Sequence, residues 1–440
     1  MVAVNRDRCD DIRNRTTDRA FLSTIANILP RSLAPWMRSA TAAGLLLAMC
    51  CGASAQERVK PDLAGAEDAA VFDIREYGAK GDGASDDSAA IAAAARAAAG
   101  TAATGRAAVL YFPAGVYRLV AALPTWTVAV GVVGDGHAQS VVSVDPAFSG
   151  DVFAWSGVRG EADQRRGDDR GTGGITISGI RIVGNRTTAN LQSAFAFYDH
   201  IDHVAMRDVD VFYMTGRALQ AGARQRAATA SLQRSEFESL RFFNCGSSGV
   251  PVVDIGAAGA GAATGEVGID ALDIFAPYGT GVVVHGDGAP VRDISFSKLR
   301  IEGLQNGAIA ADLLQVGDAA LDGPVSGIRF DQAELIDPYT GHAALRLTAP
   351  TRAAAPSDVH YQGMIGGGLP NGKGLVIEAG SNLSFDLRGI HTFDLNVVVA
   401  SSATVAGPIL MDGHGQESSW TRAVDPSSAA NVTRPLLQQF

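Results

Sequence analysis

The chain has 440 residues, with 36 basic and 46 acidic side chains and a formal charge of −10, a balance that disfavours nonspecific binding to nucleic acid. Apolar residues make up 47% and aromatic residues only 7%, while glycine occurs 51 times. That composition excludes a disordered chain and suits many short strands joined by turns, so the length reads as one extended β domain.

Residues 1–55 read as a secretory leader. Arg38 precedes an apolar run from Ala42 to Cys51, and Ala53, Ser54 and Ala55 supply the small-x-small cleavage pattern. The mature chain is expected to start at Gln56 and to be secreted or periplasmic, with Met37 as an alternative start. The apolar run is too short to cross a bilayer, so no membrane span is expected. Removal of the leader leaves 29 basic and 42 acidic residues, a charge of −13, and Cys245 as the sole cysteine. No intrachain disulfide can then form, and the fold must be held by its own core. Residues 56–70 are polar and Ala-rich, a linker.

Residues 71–119 follow a definite order. A short strand (Val71, Phe72, Ile74) leads through Gly78, Gly81 and Gly83 to Ser85, Asp86 and Asp87, which can accept from the free N–H groups that open a helix. An Ala-rich helix with Ile91 as its large apolar anchor comes next, then the strands AVLYF and GVYRL around Pro113, Ala114 and Gly115. Asp82, Asp86 and Asp87 read as turn and cap residues rather than catalytic acids. This arrangement, YGAKGDG-x-x-DD, helix, YFPAGVY, closely resembles the entry segment of the pectate-lyase-like superfamily, which includes polygalacturonase-related hydrolases, rhamnogalacturonase/epimerase-like proteins and phage tailspikes. The resemblance implies an all-β fold: a single-stranded right-handed parallel β-helix, a solenoid capped by the short N-terminal helix.

The strands TWTVAVGVVGDG and SVVSV form the first coils, and residues 159–174 interrupt the pattern as a charged surface insertion. From Ile175 a unit recurs every 25 to 34 residues, with a pair of alternating strands, a Gly or Asn turn and a further apolar strand. Its inward positions include Ile180 and Ile182, Val209 and Val211, Leu240 and Phe242, Leu272 and Ile274, Leu299 and Ile301. The solenoid is expected to span 71–415, with 416–440 a polar tail.

Because side chains alternate across a strand, the intervening residues point outward and stack from coil to coil. One outward column reads Arg181, Asp210, Arg241, Asp273, Arg300, Glu334, with His391 two coils on; the next reads Val183, Phe212, Phe243, Phe275, Glu302, Ile336. Stacked rings beside alternating charges are what a sugar groove uses, since rings pack on apolar sugar faces and charges take hydroxyls and uronates. They also serve as a purely structural ladder. Flanking arginines would keep Asp210, Asp273 and Glu334 ionised and poor as general acids, which makes Glu302 the better acid candidate. Tyr278 and Tyr339 are expected to wall the groove.

The polygalacturonase-like members of the superfamily carry Asn-Thr-Asp and Asp-Asp motifs after these strands, and none of the turns GNRTT, MTGR, NCGSSG, APYGTG, GLQNG and DPYTGH contains them. Gly413–Gly415 reads GHG but lies beyond the last clear repeat. Lyases of this fold use a basic residue beside a uronate, often with calcium; Arg241 and Arg300 match that role in kind. His200 and His203, with Asp199 and Asp202, fit no strong metal signature and read as a polar turn. Taken together, the resemblance implies an exported polysaccharide-active protein, a lyase or glycoside hydrolase, with no cofactor identified beyond calcium if it is a lyase. The rival is a non-catalytic carbohydrate-binding or surface structural protein. Nothing in the sequence sets an oligomeric state.

Overall fold

The computed structural model describes residues 69–157, 174–186, 192–303, 309, 311–339, 341–366, 373–388, 397–414 and 435–437. The segments read as leader and, up to Asp68, as linker, and nearly all of the segment 159–174 read as an insertion, lie outside them, as do His391 and Gly415. Within the unit Pro61–Phe440, strands pair in parallel from one coil to the next, which makes the fold a parallel β-helix.

Three sheets run along it. The first contains Ala70–Asp73, Ala108–Phe112, Val130–Gly134 and then the opening halves of Ile175–Val183, Val204–Phe212 and Gly265–Phe275. The second contains Gly115–Leu119, Ser140–Val144 and the closing halves of those long strands. The third runs through Phe153–Gly157, Ser193–Asp202, Arg217–Ala223, Val253–Ala258 and Val282–Asp287. Pro435–Leu437, in the segment read as a tail, pairs with Ile409–Met411 and so adds a further strand.

Each long strand passes from the first sheet to the second through one residue in the left-handed region. Gly179 has φ 62°, and the same corner is held by Asp208 (53°), Ser239 (55°), Ala271 (55°), Lys298 (55°) and Gln332 (55°). Residues with a Cβ rarely adopt this conformation, at roughly 1–2 kcal/mol each. The parallel ladders on both sides of the corner fix it. The bend is one residue long and lies inside the strand pair, whereas the expected Gly or Asn turns follow the pair, as at Asn244 (φ 53°) and Gly246 (φ 81°).

The inward residues carry the stability. Ile180, Ile182, Val209, Val211, Leu240, Phe242, Leu272, Ile274, Leu299 and Ile301 are all buried, each contributing about 1.5–3 kcal/mol through removal from water. In the third sheet Phe153 stacks on Phe195, and Trp155 on Phe197, with centroids 5.7 and 5.2 Å apart. Cys245 is buried, its thiol pushed up to about 12 by desolvation, so it is an inert core residue.

The helix Ser88–Ala102 buries Ile91, Ala94, Ala95 and Ala98, one face at helical spacing, and packs against the first strand and its neighbour Ala108–Phe112. Its N-cap is Asp87, whose carboxylate turns back to accept from Lys80 and Gly81 N–H rather than capping the helix. Asp86 accepts from the N–H and hydroxyl of Ser88 instead. Ser85 donates to Asp82, which also takes the Ala84 and Ser85 N–H groups. Among the described residues no helix is long and apolar enough to cross a membrane.

Candidate functional site

Strand register brings the two outward columns together as the alternation requires. Arg181 pairs with Asp210, Asp210 with Arg241, Arg241 with Asp273, Asp273 with Arg300, and Arg300 with Glu334. Beside them run Val183, Phe212, Phe243, Phe275, Glu302 and Ile336, in the same ladders of the second sheet. Phe243 and Phe275 lie face to face, 5.2 Å apart at 2°, and Phe212 meets Phe243 edge-on at 6.0 Å. Exposed Tyr213 adds a fourth ring, 5.5 Å from Phe243.

Along the charged column the ion pairs are not evenly shared. Asp210 is only 1% exposed and takes four hydrogen bonds, from Arg181 Nε and Nη2 at 3.0 and 2.7 Å and from Arg241 Nε and Nη2 at 2.8 and 3.0 Å. Arg300 turns the other way, donating to Glu302 at 2.5 Å and lying 3.8 Å from Glu334. Asp273, between Arg241 and Arg300 in register, has neither as a partner and forms no ion pair or hydrogen bond among the described residues. The expectation that flanking arginines hold Asp273 is therefore overturned, and so is the choice of Glu302 as the carboxylate freest of cations. Both fail for one reason: an arginine side chain is long enough to reach either ladder neighbour or its own strand.

Asp273 opens into a groove of about 430 Å³ along the corner between the first and second sheets. The corner residues Asp208, Ser239, Ala271 and Lys298 form one side; Arg241, Asp273 and Arg300 form the other. Ala271 carries only a methyl group at the level of Asp273, which leaves the space. At the N-terminal end the first coils turn this corner through the longer connection 135–139, and His137 from that loop reaches across Gly179 to bond Asp208 through Nδ1. Gly179 is obligatory there, since a Cβ would stand 2.7 Å from the Gly134 carbonyl oxygen. Lys298 sits 3.2 Å from Asp270 on the first sheet.

Several expected lining residues stand elsewhere. Tyr339 is fully buried, its hydroxyl donating to the Pro277 carbonyl, so it cannot wall a groove. Tyr278 lies under the Arg186 guanidinium at 3.6 Å, and Arg181 covers Phe212 at 4.8 Å. Arg186 itself donates to the carbonyls of Met214, Asn244 and Gly246, clamping three turns together. Asp199 and Asp202 also have structural partners: Asp199 accepts from the N–H groups of Gln225, Arg226 and Ala227, and Asp202 pairs with Arg234. His137, Asp208, Ser239 and Lys298 were not singled out from sequence. Their signal is positional, since each corner residue lies two places before a member of the charged column.

Calcium takes six to eight oxygen ligands. The groove instead offers Asp273 and a histidine-bonded Asp208 among Arg241, Lys298 and Arg300, a donor set that does not suit a hard dication.

Comparison with known proteins adds a family match over part of the chain. Residues 71–239 match the family described as rhamnogalacturonase A/epimerase, pectate lyase-like. No curated protein matches the chain. Among solved structures, the ORF18 protein of Geobacillus virus E2 is similar at 14% identity and TM-score 0.51, over 79% of this chain; the chain spans 62% of that protein's length. The A-module of the Azotobacter vinelandii mannuronan C-5 epimerase AlgE4 is 14% identical at TM-score 0.43, over 80% of this chain and 97% of its own.

Proposed function

We propose that this chain, a pectate-lyase-like β-helix protein by the match over residues 71–239, binds an acidic polysaccharide along the corner groove and cleaves it by β-elimination. The carrying observation is Asp273, a carboxylate without an ion partner among the described residues, set in a groove with three cations. Arg241, Lys298 and Arg300 take the uronate carboxylates; negative charge that builds on a uronate as its neighbouring proton leaves is stabilised by the same groups. Asp273 accepts that proton. His137, oriented through Nδ1 by Asp208, delivers a proton to the departing glycosidic oxygen. The rings of Phe243 and Phe275 offer a stacking surface beside the groove for an adjoining sugar.

Hydrolysis fits less well, because it needs two carboxyl groups flanking the bond, and here one of the two is engaged by a histidine. Export, the identity of the polysaccharide and membership of a lyase class belong to the same proposal. A second reading, a non-catalytic sugar-binding or surface protein, draws on the arginine cover over Phe212 and Tyr278, which makes part of the aromatic face structural.

The test is incubation of the full chain with uronate-containing and neutral polysaccharides, following absorbance of unsaturated products and new reducing ends. Unsaturated products from an acidic polymer, lost on the order of a hundredfold in Asp273→Asn, support the proposal. Reducing ends without unsaturation would indicate hydrolysis, and binding without turnover would favour the second reading.

A further inference from the structure

The outward face of the third sheet holds a second recess of about 310 Å³, on different strands from the corner groove. Its floor comes from paired strands that carry almost no outward side chain, Gly222 and Ala223 on one and Gly256 and Ala258 on the next. At Gly256 the absence of a Cβ lets the His285 imidazole lie against the backbone, where a Cβ would stand 3.0 Å from the ring. In composition these stretches read only as Ala/Gly-rich strand, yet their smallness is what leaves the cavity.

Around the floor stands a charged cluster. Asp254 accepts from Arg217 Nε at 2.7 Å and lies 2.8 Å from His285 Nε2. Burial by itself would raise the Asp254 carboxyl, but the hydrogen bond and charge of His285, with Arg217, outweigh it and hold the group below its ordinary value. Burial would likewise lower His285, and Asp254 reverses this and raises it. With His285 protonated, two cations face Asp254 directly, while Asp318 acts on His285 and Asp151 on Arg217 through space. The rim pair Arg224–Asp287 is neutral in sum.

Donors without partners converge on the same space. Arg217 uses Nε on Asp254, and its two terminal nitrogens have no partner among the described residues. Gln220 accepts from Ser193 and Tyr198 through Oε1, at 3.2 and 3.3 Å, which leaves its amide N–H₂ without a partner among the described residues. An open guanidinium edge is the geometry that grips a carboxylate with two parallel hydrogen bonds. Beside it, Ala223, Ala258 and Leu321 give an apolar surface.

We propose that this recess is a binding site for a single sugar acid, separate from the corner groove. The carboxylate sits on the terminal nitrogens of Arg217, a ring hydroxyl accepts from the Gln220 amide, and the apolar ring face lies on Ala223 and Ala258. The volume falls at the lower end of small-molecule sites, which fits one residue and not a chain.

The test is calorimetric titration of the full chain near pH 6 with D-galacturonate, D-galactose and inorganic phosphate. Saturable binding of galacturonate, with neither galactose nor phosphate matching it, is expected. Arg217→Lys keeps a cation against Asp254 but loses the fork, and should weaken binding about tenfold. Ala223→Leu fills the recess without touching a charge and should abolish it. Both variants should leave turnover of polysaccharide at the corner groove unchanged, so a failure here is distinguishable from a failure of the groove. Equal binding of phosphate, galacturonate binding that survives both substitutions, or no saturation at millimolar concentration overturns the proposal.

Discussion

Asp210 and Asp273 occupy the same column of the same sheet, two coils apart, each with an arginine on either side in register. One is buried and takes four hydrogen bonds from two guanidinium groups; the other faces a groove and has no ion partner among the described residues. The difference originates in the arginines. Arg241 commits to Asp210, and Arg300 finds Glu302 on its own strand and Glu334 on the next. A periodic charge pattern therefore builds a structural clamp at one level and an available carboxylate at another, and the choice depends on where the surplus acid lies.

The largest expected effect comes from breaking the clamp. Asp210→Asn keeps the shape but removes the charge that two arginines share. Loss of one partner from a buried ion cluster typically costs about 3–5 kcal/mol. Arg181 and Arg241 keep 26% and 50% side-chain exposure, so the lower end, about 3 kcal/mol, is expected in urea unfolding. Asp273→Asn, by contrast, should change stability by less than about 0.5 kcal/mol, as for a surface site. Comparable losses from the two substitutions would erase the distinction between them.

A third aspartate sharpens the contrast, because its clamp contains a titrating group. Asp254 is held by Arg217 and by His285. The folded pKa of His285 is raised above 6.5, so its contribution to stability is complete below that value and is lost as pH rises through the raised pKa. The Asp254 pKa is lowered below 3.8, so its contribution is present above 3.8 and is lost as pH falls through the lowered value. The stabilisation from this cluster is thus greatest between the two, and His285→Gln should flatten the alkaline side of a plot of melting temperature against pH. The Asp210 clamp, made of arginine and aspartate alone, should show no such alkaline decline.

Much of this arrangement was legible because two periods coincide. Alternation along strands such as Val204–Phe212 and Ser231–Phe243, together with the near-constant coil length, is enough to line up Asp210, Arg241 and Asp273 and to stack Phe243 on Phe275. The corner was not legible. Asp208, Ser239, Ala271 and Lys298 adopt left-handed backbone without glycine, and no residue type marks such a position. Nor could periodicity tell which neighbour a flexible arginine would choose, or that Tyr339 turns inward to the Pro277 carbonyl. His137 entered the groove from a connection longer than its successors, outside the repeat altogether.

The aromatic column supplies a smaller effect. Phe275→Ala removes the ring stacked on Phe243 and with it the surface closest to Glu302 in register. Polysaccharide binding should weaken by about 1 kcal/mol, the value of one aromatic stacking contact, or roughly fivefold in Kd by titration. Phe212→Ala, whose ring is already covered by Arg181, should weaken binding less. Equal effects at both positions would mean that the arginine does not shield Phe212 from ligand.

The smallest expected effect tests why Asp273 is free. Glu302→Gln keeps shape at the end of the aromatic column but cannot hold Arg300 by charge. The Arg300–Glu302 pair is partly exposed, at 47% and 24% of the two side chains, so its loss should cost only about 0.2–1 kcal/mol of stability. The released guanidinium can then turn back along the ladder toward Asp273, its register partner. A guanidinium beside a carboxylate occupies its lone pairs, so Asp273 should accept a proton less readily. Turnover should fall by only a few-fold, far less than in Asp273→Asn. Complete loss of turnover would instead make Glu302 the reacting carboxylate, while unchanged turnover would mean that Glu334 alone is enough to keep Arg300 away.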